Sequence, residues 1–406
     1  MVIAVEPMEI LWLIIAGLGA FLVAWIDGAN NAANSIGAPI GSGALKLRQA
    51  LVFASIFEFL GGVVYGRFVS ITLLRGIVDV SAVKPGGLIV GMSVALVVTG
   101  VLVTLITRMR IPMSISQSIV GGLLGFGLAV GGLNAILWRE VSFIILAWAV
   151  VPFLGIAVGF LEYKLFKCLG RYMRGRRTLL AGGSLFFITV FTAIFLYLAE
   201  ENNPVATAYA LLAGLTGGVI ATALYYVYVS RRMPEDEVAA REFVYKTLLI
   251  SSSATMAFSH GAHDVSNPSG PLTGVLLTIL NGEVPAGRVE IPYPINVFSA
   301  LGIATGILTW GYSVVETIGE RITPLSVESA FVAQFSASQL VLIVTRLGLP
   351  TSTTGAIIGS IAGVGLARGV SYVNLRLVAK IIGFWFLGAA VTALSTFLLS
   401  YVIISI

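Results

Sequence analysis

DGANNAANSIGAPIG, from Asp27 to Gly41, and HGAHDVSNPSGPLTG, from His260 to Gly274, are two copies of one pattern. In register, Gly28 meets Gly261, Asn31 meets Asp264, Asn34 meets Asn267, Gly37 meets Gly270 and Gly41 meets Gly274. A second pair follows in both halves: IPMSISQSIVGGLLGFGLA over Ile111–Ala129, and LPTSTTGAIIGSIAGVGLA over Leu349–Ala367. Polar, glycine-rich segments repeated inside apolar surroundings point to one site assembled from two halves, the plan of many secondary transporters.

The surroundings are apolar enough to need lipid. With 57% hydrophobic residues, 11% charged residues and a mean hydropathy of +0.99, these 406 residues have too little polar surface to face water. The formal charge of +5 does not signal nucleic acid, because the basic residues gather in short links between apolar runs. The opening MVIAVEPMEI carries Glu6 and Glu9 and no basic residue, which argues against a cleaved secretion signal. A single cysteine, Cys168, excludes an internal disulfide and a cysteine-cluster metal site.

Apolar runs long enough to cross a bilayer lie near 9–26, 51–74, 87–107, 138–163, 179–199, 205–230, 243–259, 293–316, 327–345 and 376–405. Shorter glycine-rich runs at 113–131 and 351–367 bring the expectation to about 12 membrane segments. In hydrocarbon these must be helices, since only a helix satisfies its own backbone groups and nothing signals a barrel. The fold class read from the sequence is therefore an all-α polytopic membrane protein.

Basic residues set the orientation. Lys164, Lys167, Arg171, Arg174, Arg176 and Arg177 mark residues 164–178 as cytoplasmic. One hairpin later, through Glu200-Glu201-Asn202-Asn203-Pro204, come Arg231, Arg232, Arg241 and Lys246, again cytoplasmic. The amino terminus then lies outside, with Lys46, Arg48, Arg108 and Arg110 in inner loops; Arg75, Lys84 and Arg139 fall on the outer side. Two repeats thus start on opposite faces: residues 1–163 and 243–406 in inverted topology, with residues 164–242 supplying a basic link, an extra hairpin at 179–230 and a second link. By analogy with other carriers, that hairpin is a candidate homodimer surface.

The first motif sits midway along an apolar stretch from about Met8 to Ala44, too long for one straight crossing. Its glycines and asparagines predict a helix break near the bilayer centre, where free carbonyls are tolerable only beside a cavity or an ion. Asp27, Asn30, Asn31 and Asn34 are the polar groups of one copy, and His260, His263, Asp264, Ser266 and Asn267 those of the other. Ionisable groups at membrane depth are functional candidates. The two histidines and Asp264 have a spacing that suggests a metal, but the first copy has no matching imidazole.

In the second motif, Pro112 and Pro350 open segments rich in hydroxyls: Ser114, Ser116, Gln117 and Ser118, then Thr351, Ser352, Thr353 and Thr354. Proline at a first turn followed by Ser or Thr caps reads as a helix start. Such starts present unpaired N–H groups and a partial positive charge, which suit an anion. Drawing a phosphate or sulfate dianion into a cell opposes the membrane potential by about 2.3 kcal/mol per charge per 100 mV, and accompanying cations reverse that sign. Carboxylates and amide oxygens suit Na⁺, so the motifs supply both kinds of ligand.

These four segments resemble the inorganic phosphate transporter (PiT) family, whose duplicated signature reads approximately GANDVANAxG. GLPTSTTG at Gly348–Gly355 and FEFLGG at Phe57–Gly62 extend the resemblance, which covers both repeats but not the links and hairpin between about 164 and 242. It implies symport of inorganic phosphate with Na⁺, or with H⁺ in some members, through an inverted-repeat helical fold. Asn30, Asn31 and Asn34 with His263, Asp264 and Asn267 fall on the signature positions. Residue chemistry and resemblance together assign phosphate contacts to Asp27, Asn30, Ser114, Ser116, Gln117, His263, Asp264, Ser352, Thr353 and Thr354. Na⁺ contacts go to Asn31, Asn34, Asn267, Asp264, Ser116 and Thr354, with no other cofactor.

Three positions depart from the family pattern. Asn31 replaces the signature's first Asp, and Asp27, four residues earlier and on the same helical face if the helix continues, is the candidate to supply the charge. His263 replaces the usual Asn before the second Asp, and Gln334 stands in place of a Glu. Sulfate is the close rival substrate, although a carboxylate favours a phosphate that keeps a proton. An enzyme is the rival class: Ser259, His260 and Asp264 have the types of a nucleophile, base and orienter, but no nucleophile elbow is present. Glu58, inside an apolar span, reads as a structural pairing residue. Trp138, Trp148, Trp310 and Trp385 read as interface or packing aromatics.

Overall fold

The computed structural model describes residues 6–109, 113–170, 176–200, 203–285, 289–313 and 325–405. Arg110, Ile111, Pro112, Arg171, Arg174, Glu201 and Asn202, which carry parts of the sequence reading, lie outside the described residues, as do residues 1–5. Among the described residues the regular elements are helical, apart from one isolated bridge between Val78 and Ile136. The first half contains α1 (Pro7–Gly41), α2 (Leu47–Tyr65), α3 (Arg67–Arg75), α4 (Pro85–Arg108), α5 (Ile115–Gly131) and α6 (Trp138–Gly170). An intervening pair is α7 (Arg176–Leu198) and α8 (Pro204–Ser230). The second half contains α9 (Glu237–Asp264), α10 (Ser266–Asn281), α11 (Tyr293–Trp310), α12 (Val327–Arg346), α13 (Thr353–Arg368) and α14 (Leu375–Ser405). Nine helices among the described residues are long and apolar enough to cross a membrane, and Gly182–Leu198 is a shorter apolar one. The chain is an all-α polytopic membrane protein.

Proline and polar caps set several helix starts, as the sequence suggests. Pro7, Pro85 and Pro204 occupy first-turn positions, and Asn203 and Asp236 accept from the Ala206 and Ala239 amides at 3.1 and 2.8 Å. Gly348 adopts φ of +67° just after α12, a conformation that turns the chain back toward α13.

The first motif corrects one expectation. α1 runs unbroken through it, because its Asn and Asp side chains find partners on other helices, and the alanines between them favour helix. Pro39 is the one residue that removes an internal donor, from the Ser35 carbonyl. Gln334 repairs this by donating to the carbonyls of Asn34 and Ser35 at 3.1 and 3.3 Å. In the second copy the chain passes from α9 to α10 at Val265, whose φ of −55° and ψ of −25° remain helical, so the helix is interrupted without unwinding. Pro268 and Pro271 cannot donate to the carbonyls of Asp264 and Asn267. The span read at 51–74 is likewise divided, at Gly66, into α2 and α3.

The halves pack reciprocally. α1 lies on α11 while α9 lies on α2; α1 packs on α4 while α9 packs on α12; α5 lies on α14 while α13 lies on α6. Each half therefore completes the other. Glycine makes these approaches close: a Cβ at Gly28 would lie 2.0 Å from the Ile303 carbonyl oxygen, and one at Gly261 would lie 1.9 Å from that of Glu58. Gly121 and Gly359 meet the Ala389 and Pro152 carbonyls in the same way, at 2.2 and 2.3 Å. The four motif segments sit in the middle, with Ile26–Pro39, Ser259–Val275, Met113–Leu123 and Pro350–Gly365 buried on every face. α6, α8 and α14 carry many exposed large apolar side chains, which face lipid.

Gly359→Ala should therefore destabilise the protein by about 1–3 kcal/mol through overpacking. Gly17→Ala, where a Cβ meets nothing within 4 Å, should be neutral or mildly stabilising. Thermal unfolding of the two variants in one detergent compares them.

Candidate functional site

Asp27 and Asp264 approach each other from the two motif helices. Asp27 accepts from the Asn31 amide at 2.8 Å and from the Asn267 amide at 2.8 Å, so one carboxylate joins both copies. Asn31 also reaches Asp264, at 3.4 Å. The Thr353 hydroxyl donates to Asp264 at 3.1 Å, and Ser116 does so at a long 3.5 Å. Thr354 donates to the Asn31 carbonyl oxygen at 3.1 Å and accepts from Asn34 at 3.0 Å. Asp27, Asn31, Asn34, Ser116, Asp264, Asn267, Thr353 and Thr354 thus form one network drawn from α1, α5, α9, α10 and α13. All are at most 3% exposed. The side-chain carbonyls of Asn34 and Asn267, which stand in register, both lack a hydrogen-bond partner.

The remaining assigned residues do other work. Asn30 donates to Thr107 at 2.7 Å and accepts from the Met113 amide at 3.1 Å. His263, in register with it, bonds Thr345 at 2.9 Å through Nδ1, and its Nε2 lies 3.1 Å from the Thr351 carbonyl and 3.3 Å from the Thr351 amide. Each clamps its motif helix to the entry of the hydroxyl-rich helix in its own half. Ser114 and Ser352 are N-caps, accepting from the Gln117 and Gly355 amides at 3.4 and 2.9 Å. With those donors capped, the amides of Ile115 and Ser116 on α5, and of Thr353 and Thr354 on α13, have no intrahelical acceptor. Gln117 is fully buried, and neither polar atom of its side chain has a partner.

Glu58 pairs across the bundle, as expected of a carboxylate in an apolar span, and the pairing also joins it to the motif residues. It accepts from Ser35 at 2.9 Å and lies 2.8 Å from His260 Nδ1, while His260 Nε2 lies 2.8 Å from Asp264. Glu58 is therefore joined to the network through one imidazole. The available signal was a carboxylate in an apolar span, and its connection required knowing that α2 packs on α9. Ser259, by contrast, donates to the Thr255 carbonyl at 2.7 Å, so the serine–histidine–aspartate arrangement does not form. Trp148 donates to the Pro350 carbonyl at 2.9 Å and steadies the loop before α13, more than a packing role.

Electrostatically the site is short of positive charge. Asp27, Asp264 and Glu58 are buried around one imidazole, and among the described residues no lysine or arginine pairs with any of them. Ligand atoms of Asp27, His260 and Asp264 lie within 4.8 Å of one another, close enough to share a cation. Immediately beside them, two helix starts offer free amides and hydroxyls to an anion. Cation and anion ligands are interleaved.

A lipid-embedded helical bundle enclosing such a site is a membrane transporter. The family model for the phosphate transporter family matches residues 27–396, and the chain belongs to that family. A protein of Pyrococcus furiosus named as a phosphate permease is 33% identical over 384 residues, covering 92% of each chain. The inorganic phosphate transporter 2-1, chloroplastic, of Arabidopsis thaliana is 32% identical, covering 91% of this chain and 68% of its own. A solved structure of a protein named "The sodium-dependent phosphate transporter" matches with a TM-score of 0.92 and 34% identity, covering 97% of this chain and 99% of that one.

If His263 is a clamp, His263→Ala should destabilise the protein by about 1–3 kcal/mol. His263→Asn, which restores the residue type used at position 30, should recover much of the loss. Thermal unfolding of both variants, without substrate, checks the pair.

Proposed function

We propose that this protein imports inorganic phosphate together with Na⁺, by alternating access to a site held between two inverted repeats, residues 1–163 and 243–406. The observation that carries the reading is the pairing of buried carboxylates that have no lysine or arginine partner among the described residues with two free helix starts. Na⁺ offsets Asp27 and Asp264, with Asn31, Asn34, Asn267 and the hydroxyls of Ser116 and Thr354 as neutral oxygen ligands. Phosphate is held by the first-turn amides and hydroxyls of α5 and α13 and by Gln117. Asn30, His263, Ser114 and Ser352 hold the helices that present those groups. The reciprocal packing supports the duplicated plan, and likeness to a protein named for its sodium dependence supports the coupling ion.

The plasma membrane of a cell is the proposed location, with the amino terminus outside and residues 164–178 in the cytoplasm. Residues 164–242 are a connecting unit, and their hairpin is the proposed surface for a homodimer. Phosphate is preferred to sulfate because a carboxylate beside the anion accepts a hydrogen bond from a protonated phosphate oxygen, which sulfate lacks near neutral pH.

Labelled phosphate uptake into proteoliposomes tests the reading. Uptake should stop when choline replaces Na⁺ at fixed pH, and equimolar sulfate should compete weakly. A flux driven by pH alone would move the coupling to H⁺, and strong sulfate competition would defeat the phosphate assignment. Asp264→Asn should lower uptake about tenfold or more while the protein still inserts and elutes as folded. The topology has its own probe, since Cys168 is the sole cysteine and is exposed. A membrane-impermeant maleimide should label it in inside-out vesicles and spare it in right-side-out ones; the reverse result would invert the orientation.

A further inference from the structure

Arg67 and Arg346 are charged groups outside the central network that share one aromatic ring. The Arg67 guanidinium lies 5.0 Å from the Phe68 ring centroid and 5.1 Å from that of Tyr197. Arg346 lies 4.7 Å from the same Phe68 centroid and donates to the Ala199 carbonyl. Among the described residues neither guanidinium has a carboxylate within ion-pair distance. Glu200, beside Ala199, accepts from the Asn203 amide at 3.1 Å. Two cations gathered on one ring repel. Tyr65 packs into the same group, 5.1 Å from Phe68 and 1% exposed, with a buried hydroxyl that has no hydrogen-bond partner. The arrangement lacks an anion.

Its position connects it to the central site. Tyr65 packs with Ala262 and Leu342, and Ala262 immediately precedes His263 on the motif helix. Arg346 follows Thr345, which bonds His263 at 2.9 Å. On α3, Thr72 donates to the Gly348 carbonyl at 2.7 Å, in the loop that leads to the start of α13. At the opposite end of α12, Glu328 pairs with Lys167 of the basic link at 2.9 Å. Arg346 is 18 residues further along the helix, about 27 Å away, on the face opposite that link. In the first half Arg108 holds the corresponding place: it ends α4, follows the Thr107 that bonds Asn30, and is exposed.

We propose that Arg67 and Arg346, with the Tyr65 hydroxyl, form an outer docking site that captures phosphate before it passes to the starts of α5 and α13; this rests on the transport reading and topology above. Two guanidiniums recognise the oxygens of a phosphate group, whether free phosphate or a lipid headgroup, and the test separates the two. Exposed charge at the mouth of a site raises the encounter rate of an oppositely charged substrate, and salt screens the effect.

Initial rates of labelled phosphate uptake are measured in Na⁺-loaded gradients across vesicles of phosphatidylcholine alone, and of phosphatidylcholine with phosphatidylglycerol. Arg67→Gln and Arg346→Gln should each raise KM for phosphate about 5- to 10-fold with Vmax nearly unchanged. Arg67→Lys and Arg346→Lys should fall between these and the unsubstituted protein. Added choline chloride should raise KM of the unsubstituted protein and leave that of the double Gln variant flat. Arg241→Gln, on the opposite face, should leave KM unchanged. Unaltered KM in both Gln variants, or a loss of Vmax alone, overturns the docking site. So does an effect confined to vesicles with phosphatidylglycerol, which would assign the arginines to a lipid headgroup. If the Gln variants do not insert, the Lys variants and the salt dependence decide. Absence of saturable Na⁺-dependent uptake by the unsubstituted protein in either vesicle would instead overturn the transport reading itself.

Discussion

Asp27, Asp264 and Glu58 are buried around one imidazole, that of His260, and among the described residues no lysine or arginine pairs with any of them. Removing charges from water costs several kcal/mol each, and a lone imidazole cannot offset three carboxylates. Small cations are the natural complement, because carboxylate and amide oxygens around them satisfy the lone pairs that burial would strand. The orphaned carbonyls of Asn34 and Asn267 fit the same account, since each is an acceptor aimed where the structure offers no donor. Once a cation is present, the free amides of α5 and α13 can hold a multiply charged anion without repulsion from the neighbouring carboxylates. Under the proposed function the site favours cation and anion together over either alone, which is the thermodynamic content of coupling.

Duplication explains how a bundle presents two helix starts to one point in lipid. A broken helix inside a bilayer is tolerable only where other protein covers it. Here the cover is exchanged: α5 of one half lies on α14 of the other, and α13 on α6. Neither half could seal its own helix start. The same exchange gives α1 and α9 their partners, with Gly28 and Gly261 setting the closeness of approach. Asn30 and His263 then act as equivalent clamps with different chemistry, each tying a motif helix to a threonine near the end of one helix and to the backbone leading into the next.

The membrane class and the motif pairs were legible in the sequence, because each rests on a local pattern that recurs, and eight of the residues so picked out lie in one network. Two copies of a Gly/Asn segment and of a Pro-Ser/Thr segment needed no contact information to suggest a shared site. What the sequence hid depended on contacts. Asn30 and His263 read as ligands because polar groups in lipid invite that reading, and only the positions of Thr107 and Thr345 show them occupied elsewhere. The helix break expected at Asp27–Gly41 did not appear, since Gln334, 295 residues beyond Pro39, supplies the donor that the proline removes. Glu58 read as structural because nothing local distinguishes a carboxylate that pairs across a bundle from one that joins a site.

The departures from exact duplication are where the chemistry concentrates. In register, Asp27 faces His260 and Asn31 faces Asp264, so each copy carries one carboxylate at a different place. A perfectly repeated sequence would set like beside like, two aspartates or two histidines at the pseudo-symmetric centre. The actual sequence places Asp27 against Asn31 and Asn267, and Asp264 against His260 and Thr353. Carboxylates therefore meet donors and are held near each other without direct contact. Of the two aspartates only Asp264 is linked onward to Glu58, through His260, so the negative charge extends to one side of the centre. Under the proposed alternating access, a cation entering this site meets unequal surroundings in the two halves, and that inequality lets binding bias one arrangement of the halves over the other, as a population shift requires.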